Sequence, residues 1–155
     1  MSLVFGAAAF VLDRAHKFWQ IDVQGWRGGE IVPVTGVFDY VLVWNTGISY
    51  GLLGDAPLVL LGAVIILAIA ALGWWWWKAG HALVRIGLMF CIGGALSNAI
   101  DRLVYGAVAD FFHFHWQQYS FYIFNLADVA ISFGVLLLVL DLLGFGRRGE
   151  ARGKA

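Results

Sequence analysis

Side chains suited to acid–base chemistry occur in short polar segments between long apolar runs. Asn98 and Asp101 lie near the end of one apolar run, Asp110 follows it, and Asn125 and Asp128 begin the next run. Two carboxyl groups that share a site resist double ionisation, so one of them retains a proton near neutral pH. Such a pair can act as general base and general acid. This chemistry requires structural elements that bring both carboxyl groups to one place.

The composition indicates that these elements are membrane helices. Of the 155 residues, 61% are hydrophobic and 13% are charged, whereas soluble domains are nearer half apolar and one quarter charged. The formal net charge is zero, so the charge balance gives no reason to expect a nucleic-acid partner. The single Cys91 cannot form an intrachain disulfide. We expect a single membrane-embedded domain over residues 1–155.

Four apolar segments predict a mainly α integral membrane protein with four transmembrane helices. Three of them are near the roughly 20 residues needed to cross the hydrocarbon and lack the alternation of barrel strands. The first has an apolar run of only ten residues, Leu3 to Leu12, which we extend as a helix through Trp19. The first is interrupted by Asp13 and Lys17, which are i,i+4 neighbours and are expected to form a structural ion pair. The predicted spans cover approximately residues 3–20, 57–77, 82–103 and 126–145.

The basic residues predict the orientation of these spans. Lys78 and Arg85 lie at the link between the second and third spans, on the same side as the basic C-terminal tail with Arg147, Arg148, Arg152 and Lys154. The opposite side has only Arg27 in residues 21–56 and no basic residue in 103–125. Because basic residues favour the cytoplasmic side, both termini are predicted to be cytoplasmic.

The segment 21–56 is not apolar enough to span a membrane. Apolar side chains alternate from Val37 to Trp44, which predicts strands. We expect a small extracytoplasmic β-sheet between helices 1 and 2. Gly25, Gly28, Gly29 and Gly36 would permit this segment to move as a lid.

The predicted orientation gathers the polar side chains at the outer end of the helices. Asn98, Asp101 and Arg102 share one helical face, and Asn125 can cap the fourth helix with Asp128 in its first turn. The other members of this group are Asn45, Asp110, Asp13 and Lys17. Acidic groups at one membrane depth indicate a site, although polar contacts that only hold helices together would give a similar pattern.

Five motifs, in order, resemble those of the lipoprotein signal peptidases over roughly residues 10–135. The first is Asp13-x-x-x-Lys17. Asn45 to Gly51 (NTGISYG) is similar to NxGAAFG, and Gly93 to Arg102 (GGALSNAIDR) is similar to GGALGNLIDR. Val108 to Phe111 (VADF) and Phe124 to Asp128 (FNLAD) are similar to VVDF and FNxAD. The departures are Ile48-Ser49-Tyr50, which could reshape the substrate pocket, Ser97 and Ala109.

The resemblance implies an intramembrane aspartyl endopeptidase. It implies that Asp110 and Asp128 are catalytic, and that a second group binds substrate or supports the site: Asn45, Gly47, Asn98, Asp101, Arg102 and Asn125. Such enzymes cut diacylglyceryl-modified prolipoproteins N-terminal to the lipidated Cys, at the outer face of the bacterial inner membrane, with no metal or organic cofactor. The implied partners are prolipoproteins, membrane lipids and the lipopeptide inhibitor globomycin, and we expect a monomer.

Several residues have competing interpretations. Asp101 is interpreted as structural or substrate-orienting, because the guanidinium of Arg102 beside it would keep the carboxylate charged. His113 and His115 would point the same way on a strand, but a tetrahedral zinc site needs further ligands and only His16 is a candidate on that side. Contact with lipid headgroups is the expected role of this His pair.

Two other functional classes fit part of the pattern. A non-enzymatic bundle, such as a proton- or ion-translocating subunit, also contains buried acids, but it predicts polar residues along the whole membrane depth. A lipid-headgroup transferase would need a dense array of metal-binding acids, which the spacing of Asp101, Asp110 and Asp128 does not supply. A serine mechanism lacks its usual sequence motif.

Overall fold

The computed structural model describes residues 1–47 and 58–145 and contains four long helices. Helix α1 covers Ser2–Phe18 and continues as a π-helical turn over Trp19–Val23. The other helices are α2 (Leu58–Lys78), α3 (Ala82–Tyr105) and α4 (Leu126–Leu142). Each begins or ends within a few residues of the corresponding predicted span.

Only two of these helices meet a length and hydropathy criterion for crossing a membrane. They cover Leu60–Lys78 and Ala82–Tyr105. Helices α1 and α4 have 17 residues each, which is at the lower limit for a span. The described residues thus form a mostly helical fold with four long helices, and that four helices cross the membrane stays a prediction.

Helix α3 lies at the centre of the bundle and packs against α1, α2 and α4. Small residues allow the close approach. A Cβ added at Gly94 would lie 2.5 Å from the backbone oxygen of Ala127, and one added at Gly93 would lie 2.3 Å from that of Gly6. Glycine at such positions lets helix backbones come together in a membrane bundle. The GGALSNAIDR segment therefore fixes the position of α3 against both neighbours.

Four antiparallel strands form one sheet in the order β1-β2-β3-β4. They are β1 (Ile31–Thr35), β2 (Phe38–Asn45), β3 (Val108–Trp116) and β4 (Tyr119–Ser120). The expectation of a sheet lying between helices 1 and 2 was therefore wrong in part. Half of it comes from the link between α3 and α4, because β2 needs a second partner for its backbone groups and β3 provides one.

The sheet is attached to the end of α1 by an apolar core. Ile21, Leu42, Ala109 and Phe111 are buried together, and the aromatic side chains Trp26, Tyr40 and Trp44 pack around them. The pairing of β2 with β3 places Val43 opposite Asp110 and Asn45 opposite Val108. The sheet thereby carries Asp110 and Asn45 to the end of the bundle at which α4 begins.

Some predictions concern segments outside the described residues. Ile48, Ser49 and Tyr50, where the chain departs from the family motif, belong to one of these segments. The basic tail with Arg147, Arg148, Arg152 and Lys154 belongs to the other. The movement of residues 21–56 as a lid also stays a prediction, although Gly25, Gly28 and Gly29 have positive φ angles.

Candidate active site

The two carboxyl groups of interest come from a strand and from the first turn of a helix. Asp110 lies in β3 and is 2% exposed. Asp128 is the third residue of α4, where Asn125 caps the helix: Asp128 N–H donates to Asn125 Oδ1 at 2.9 Å, and Asn125 N–H donates to Asp128 Oδ2 at 3.3 Å. This reciprocal cap is a capping box, and it confirms the predicted cap while fixing the position of the Asp128 side chain.

Three asparagine amides donate to these carboxyl groups. Asn125 Nδ2 donates to Asp110 Oδ1 at 2.7 Å, and Asn45 Nδ2 donates to Asp110 Oδ2 at 3.1 Å. Asn98 Nδ2 donates to Asp128 Oδ1 at 2.9 Å. Asn125 Nδ2 also donates to Asn98 Oδ1 at 3.2 Å, which joins the Asp110 and Asp128 sides into one network. The five residues therefore form a single hydrogen-bonded cluster.

A buried ion cluster supports this network from α1. Lys17 Nζ lies 2.7 Å from Asp13 and 2.6 Å from Asp101, and all three side chains are fully buried. The third donor contact of Lys17 is to Asn98 Oδ1, at 3.0 Å. Because Asn98 Oδ1 accepts from Lys17 and Asn125, its amide nitrogen must face Asp128. The predicted Asp13–Lys17 pair is confirmed, and it also orients Asn98.

Asp13 and Asp101 also tie the helices to the segments that carry Asp110 and Asp128. Asp13 Oδ1 accepts from the backbone N–H of Ala127 at 2.9 Å, and Asp13 Oδ2 accepts from Ser97 Oγ at 2.6 Å. Asp101 Oδ2 accepts from the backbone N–H of Ala109 at 3.2 Å. Asp13 thus anchors Ala127, which precedes Asp128, and Asp101 anchors Ala109, which precedes Asp110.

The guanidinium in direct contact with Asp101 is that of Arg14, whereas Arg102 interacts with Asp101 only through its charge. Consecutive helical residues point about 100° apart, which turns Arg102 away from Asp101. Arg102 Nη2 instead donates to the backbone oxygen of Gly47 at 2.9 Å. Gly47 N–H in turn donates to Asn45 Oδ1 at 3.1 Å, so Arg102 and Gly47 help to hold Asn45.

A cavity of about 260 Å³ opens beside these groups, between α2, α3 and α4. Its polar wall contains Asn45, Asn98, Arg102, Asp110 and Asp128. Its apolar wall is formed by Val64, Ile65, Ala68, Ala95, Val108, Ile123 and Ile131, with Tyr122 beside them. The two carboxyl groups therefore line the same cavity, which has one polar and one apolar wall.

Burial raises the pKa of the Asp110 carboxyl to about 7, and the nearby Asp128 carboxyl contributes further to the rise. The hydrogen bonds from Asn45 and Asn125 lower the pKa of Asp110, and so does the charge of Lys17, but these effects are smaller. A carboxyl group with this pKa can hold or release a proton near neutral pH. The arrangement is suited to general acid–base chemistry.

The His pair of β3 lies on the sheet beside an acid. His113 and His115 have ring centroids 5.3 Å apart, as expected for i,i+2 residues of a strand. Asp39 Oδ2 lies 3.5 Å from His113 Nδ1 and 3.1 Å from His115 Nε2. His16 is elsewhere, in contact with Tyr40. Within residues 1–47 and 58–145, no group of three or more His, Cys, Asp or Glu side chains is arranged to hold a metal ion.

Sequence reasoning missed three residues that the site uses. Arg14, Ser97 and the backbone N–H of Ala127 all contact the buried acids. Ser97 and Ala127 stand directly beside Asn98 and Asp128 in the matched motifs, and that adjacency was the available signal. Arg14 lies within the predicted first span, and an ionisable residue at membrane depth usually faces the bundle interior, so its position was the available signal.

Comparison with known proteins agrees with this geometry. The signal peptidase (SPase) II family profile matches residues 5–144. A lipoprotein signal peptidase of Rhodopseudomonas palustris (strain TIE-1) is 45% identical over 150 residues, which is 92% of each chain. One from Nitrobacter hamburgensis is 48% identical over 151 residues, covering 90% of this chain and 89% of the relative.

Solved structures show the same fold. A bacterial membrane enzyme at 2.3 Å resolution superposes with a TM-score of 0.82 and 25% identity, covering 95% of this chain and 90% of the other. A second bacterial membrane enzyme, at 1.9 Å resolution, gives a TM-score of 0.78 and 26% identity over 92% of both chains. The match extends over almost the whole chain in both comparisons, and the chain belongs to the signal peptidase II family.

Proposed function

We propose that this membrane peptidase is an aspartyl endopeptidase whose catalytic pair is Asp110 and Asp128. The observation that carries the proposal is the shared asparagine network: Asn125 donates to Asp110, and Asn98 donates to Asp128, beside one cavity. The membership in the signal peptidase II family supports the peptidase activity. No other pair of acids in the described residues lines that cavity.

In the proposed reaction the pair holds one proton and one water molecule. The ionised carboxylate takes a proton from the water as the water oxygen attacks the scissile carbonyl carbon. The protonated carboxyl gives its proton to the carbonyl oxygen, which yields a tetrahedral diol. The diol collapses when the C–N bond breaks: the leaving nitrogen takes a proton from the carboxyl that accepted it from water, and one diol hydroxyl returns its proton to the other carboxylate as the new carbonyl forms. One carboxyl again holds a proton at the end.

The proposed substrate is a diacylglyceryl-modified prolipoprotein, cut N-terminal to the lipidated Cys. Relatives that are 45% and 48% identical are lipoprotein signal peptidases. The apolar wall of the cavity includes Val64, Ile65 and Ala68 from α2 and Ile131 from α4, which suits a hydrophobic signal segment. Residues 58–78 pack mainly on α3, so a peptide could enter between α2 and α4 from the bilayer. Globomycin would occupy the same cavity.

We further propose that residues 1–155 form one domain with four membrane spans, working as a monomer in the bacterial inner membrane. Asp110, Asn45 and the sheet lie at the outer end of the bundle in this arrangement, and both termini are cytoplasmic. The buried polar side chains support it, because seven of the eight found in the described residues gather at that end, namely Asp13, Lys17, Ser97, Asn98, Asp101, Asp110 and Asn125, and Asp141 alone lies at the other end. A proton-translocating subunit would need them along the whole depth.

A cleavage assay with two matched substrates tests the substrate class. Purified protein would receive a diacylglyceryl-modified prolipoprotein and the same precursor with its Cys changed to Ser, which cannot be lipidated. We expect cleavage of the modified precursor only, with the mass of the product showing a lipidated Cys at its N-terminus, and inhibition by globomycin. Equal cleavage of both precursors, or a cut at another bond, would contradict the proposal.

A further inference from the structure

A second cavity, which we call the α4 groove, lies directly beside Asp128. It has a volume of about 340 Å³, and its long wall consists of Val129, Ser132, Phe133 and Leu136 of α4. Asp128 and Tyr122 line both this groove and the cavity that Asp110 and Asp128 share, which we call the catalytic cavity. The residue proposed to be catalytic on α4 therefore stands at the boundary between two cavities.

The two cavities lie on different faces of α4. Because consecutive helical residues are about 100° apart, Ile131 of the catalytic cavity is turned about 60° from Asp128 in one direction and Phe133 of the groove about 140° in the other. Phe133 packs edge-on against Phe90 of α3 with ring centroids 5.1 Å apart, and Phe90 contacts Phe5 of α1 at 5.6 Å. The catalytic cavity thus faces α2, and the groove faces the α1 side of the bundle.

The α4 groove is an apolar stripe open to lipid. Its residues on α4 are spaced by three and four positions, which places them along one helical face, and the side chains of Val129, Phe133 and Leu136 are exposed. The stripe from Asp128 to Leu136 extends about 12 Å along the axis. The aromatic residues Phe121 and Phe124 close its end next to Asp128. The groove therefore begins at a carboxyl group and continues along a surface that we place in the hydrocarbon.

We propose that the α4 groove binds one acyl chain of the diacylglyceryl group on the substrate Cys, an inference that rests on the proposed function. The scissile bond joins the hydrophobic signal segment to the modified Cys. Since the signal segment occupies the catalytic cavity against α2, the modified Cys lies on the other side of Asp128, where the groove begins. Its acyl chain then lies along Val129, Phe133 and Leu136.

The size and position of the groove favour this occupant over a free membrane lipid. A volume of about 340 Å³ along about 12 Å leaves a cross-section of about 28 Å², which suits a single extended hydrocarbon chain. An acyl chain attached to the residue at the scissile bond is held at the entrance beside Asp128, so its effective concentration there exceeds that of an untethered lipid. The second acyl chain remains in the bilayer.

Photocrosslinking tests this placement directly. The precursor would carry a diazirine in the middle of one acyl chain, and phosphatidylglycerol with the same diazirine would be the free-lipid control. Full-length Asp110→Asn, which should bind the precursor without cutting it, would be irradiated in detergent, and labelled residues would be identified by peptide mass spectrometry. We expect the precursor to label residues 129–136, and an excess of precursor without the diazirine to remove most of that labelling.

A blocked groove gives a second measurement on the active protein. Ser132 is exposed on α4 and lines the groove, so Ser132→Trp should fold and occupy the space of the acyl chain. Val135→Trp is the matched control, because Val135 is exposed on the same helix but does not line the groove. We expect Ser132→Trp to raise the KM for the modified precursor by about tenfold, the order expected for about two buried methylene groups. The kcat of Ser132→Trp and both constants of Val135→Trp should change little.

The outcomes separate this inference from the proposed function. Labelling of Val64 to Ala68 on α2, the same labelling pattern from both diazirine probes, or an equal KM for Ser132→Trp and Val135→Trp would overturn the assignment of the groove, while cleavage by the wild type would still support the peptidase. A wild type that does not cut the modified precursor would overturn the proposed function, and the inference about the groove with it.

Discussion

Asn125 Nδ2 donates a hydrogen bond to Asp110 Oδ1 at 2.7 Å, across the junction between the sheet and α4. The carbonyl oxygen of the same side chain caps the helix that carries Asp128. The Nδ2 atom of Asn125 is bonded to Asp110 and its Oδ1 atom to Asp128. This one amide therefore sets the relative position of the two carboxyl groups. The catalytic proposal depends on this shared position.

The activity should fall as the pH rises above about 7. Asp110 has a pKa of about 7, so the pair loses its shared proton above that pH and can no longer donate to the carbonyl oxygen. The hydrogen bond from Asn45 lowers the pKa of Asp110. Asn45→Ala should therefore move the basic limb of the pH–rate profile to higher pH while lowering kcat. A basic limb that moves to lower pH in Asn45→Ala would contradict the assignment.

The stability of the fold should also fall with rising pH, and Asp110 should be the cause. Its pKa is about 7 when folded and about 3.9 when unfolded, so the folded state binds the proton more tightly. The stabilisation is therefore present below about pH 4 and is lost as the pH rises to about 7. Thermal unfolding between pH 5 and 8 should show this slope in the wild type and in Asp22→Asn, and a flatter slope in Asp110→Asn. A slope unchanged by Asp110→Asn would assign the effect to another group.

Lys17→Met should destabilise the protein strongly. Lys17 is fully buried with Asp13 and Asp101, and its removal leaves both acids in the bundle without their shared cation. Removing one partner of a buried ion pair lowers the free energy of unfolding by about 3–5 kcal/mol. Lys78 is exposed at the end of α2, so Lys78→Met is the matched control and should change stability little. Thermal unfolding in detergent measures both variants, and similar midpoints for the two would show that the ion cluster is not structural.

Several parts of the site follow from local sequence rules. The Asp13–Lys17 pair is an i,i+4 pair on one helix, and the Asn125 cap with Asp128 is a helix-start pattern. Both depend only on the geometry of a single helix, so spacing along the chain is sufficient to predict them. The resemblance to the family motifs then indicated which of these polar residues belong to a single site.

Other parts depend on contacts between distant elements. Strand β3 pairs with β2, whose residues lie about seventy positions earlier, and a strand's partner is set by tertiary packing and register. The pairing of Arg14 with Asp101 depends on how α1 rotates against α3. Sequence neighbours are a poor guide there, and for that reason the direct partner of Asp101, Arg14, was missed.

Gly94→Ala should impair both stability and catalysis. The added Cβ would lie 2.5 Å from the backbone oxygen of Ala127, so α3 and α4 must move apart at a cost of about 1–3 kcal/mol. Asn98 lies one turn beyond Gly94 and bonds to Asp128 across this interface at 2.9 Å. Gly73→Ala is the matched control, because a Cβ there meets nothing within 4 Å. Equal activity and stability of the two variants would show that close packing at Gly94 is not needed.

The most direct test of the catalytic proposal is the cleavage rate of Asp110→Asn and Asp128→Asn on a diacylglyceryl-modified prolipoprotein, with Asp22→Asn as control and with EDTA added in parallel. Removing one member of an acid–base pair should lower the rate by about 10²- to 10⁴-fold, and folded protein should be verified by its unfolding transition. We predict that each of the two variants loses this activity, while Asp22→Asn and EDTA-treated wild type keep theirs. A folded Asp110→Asn or Asp128→Asn that cleaves at the wild-type rate, or a wild type that EDTA inactivates, would contradict the aspartyl mechanism.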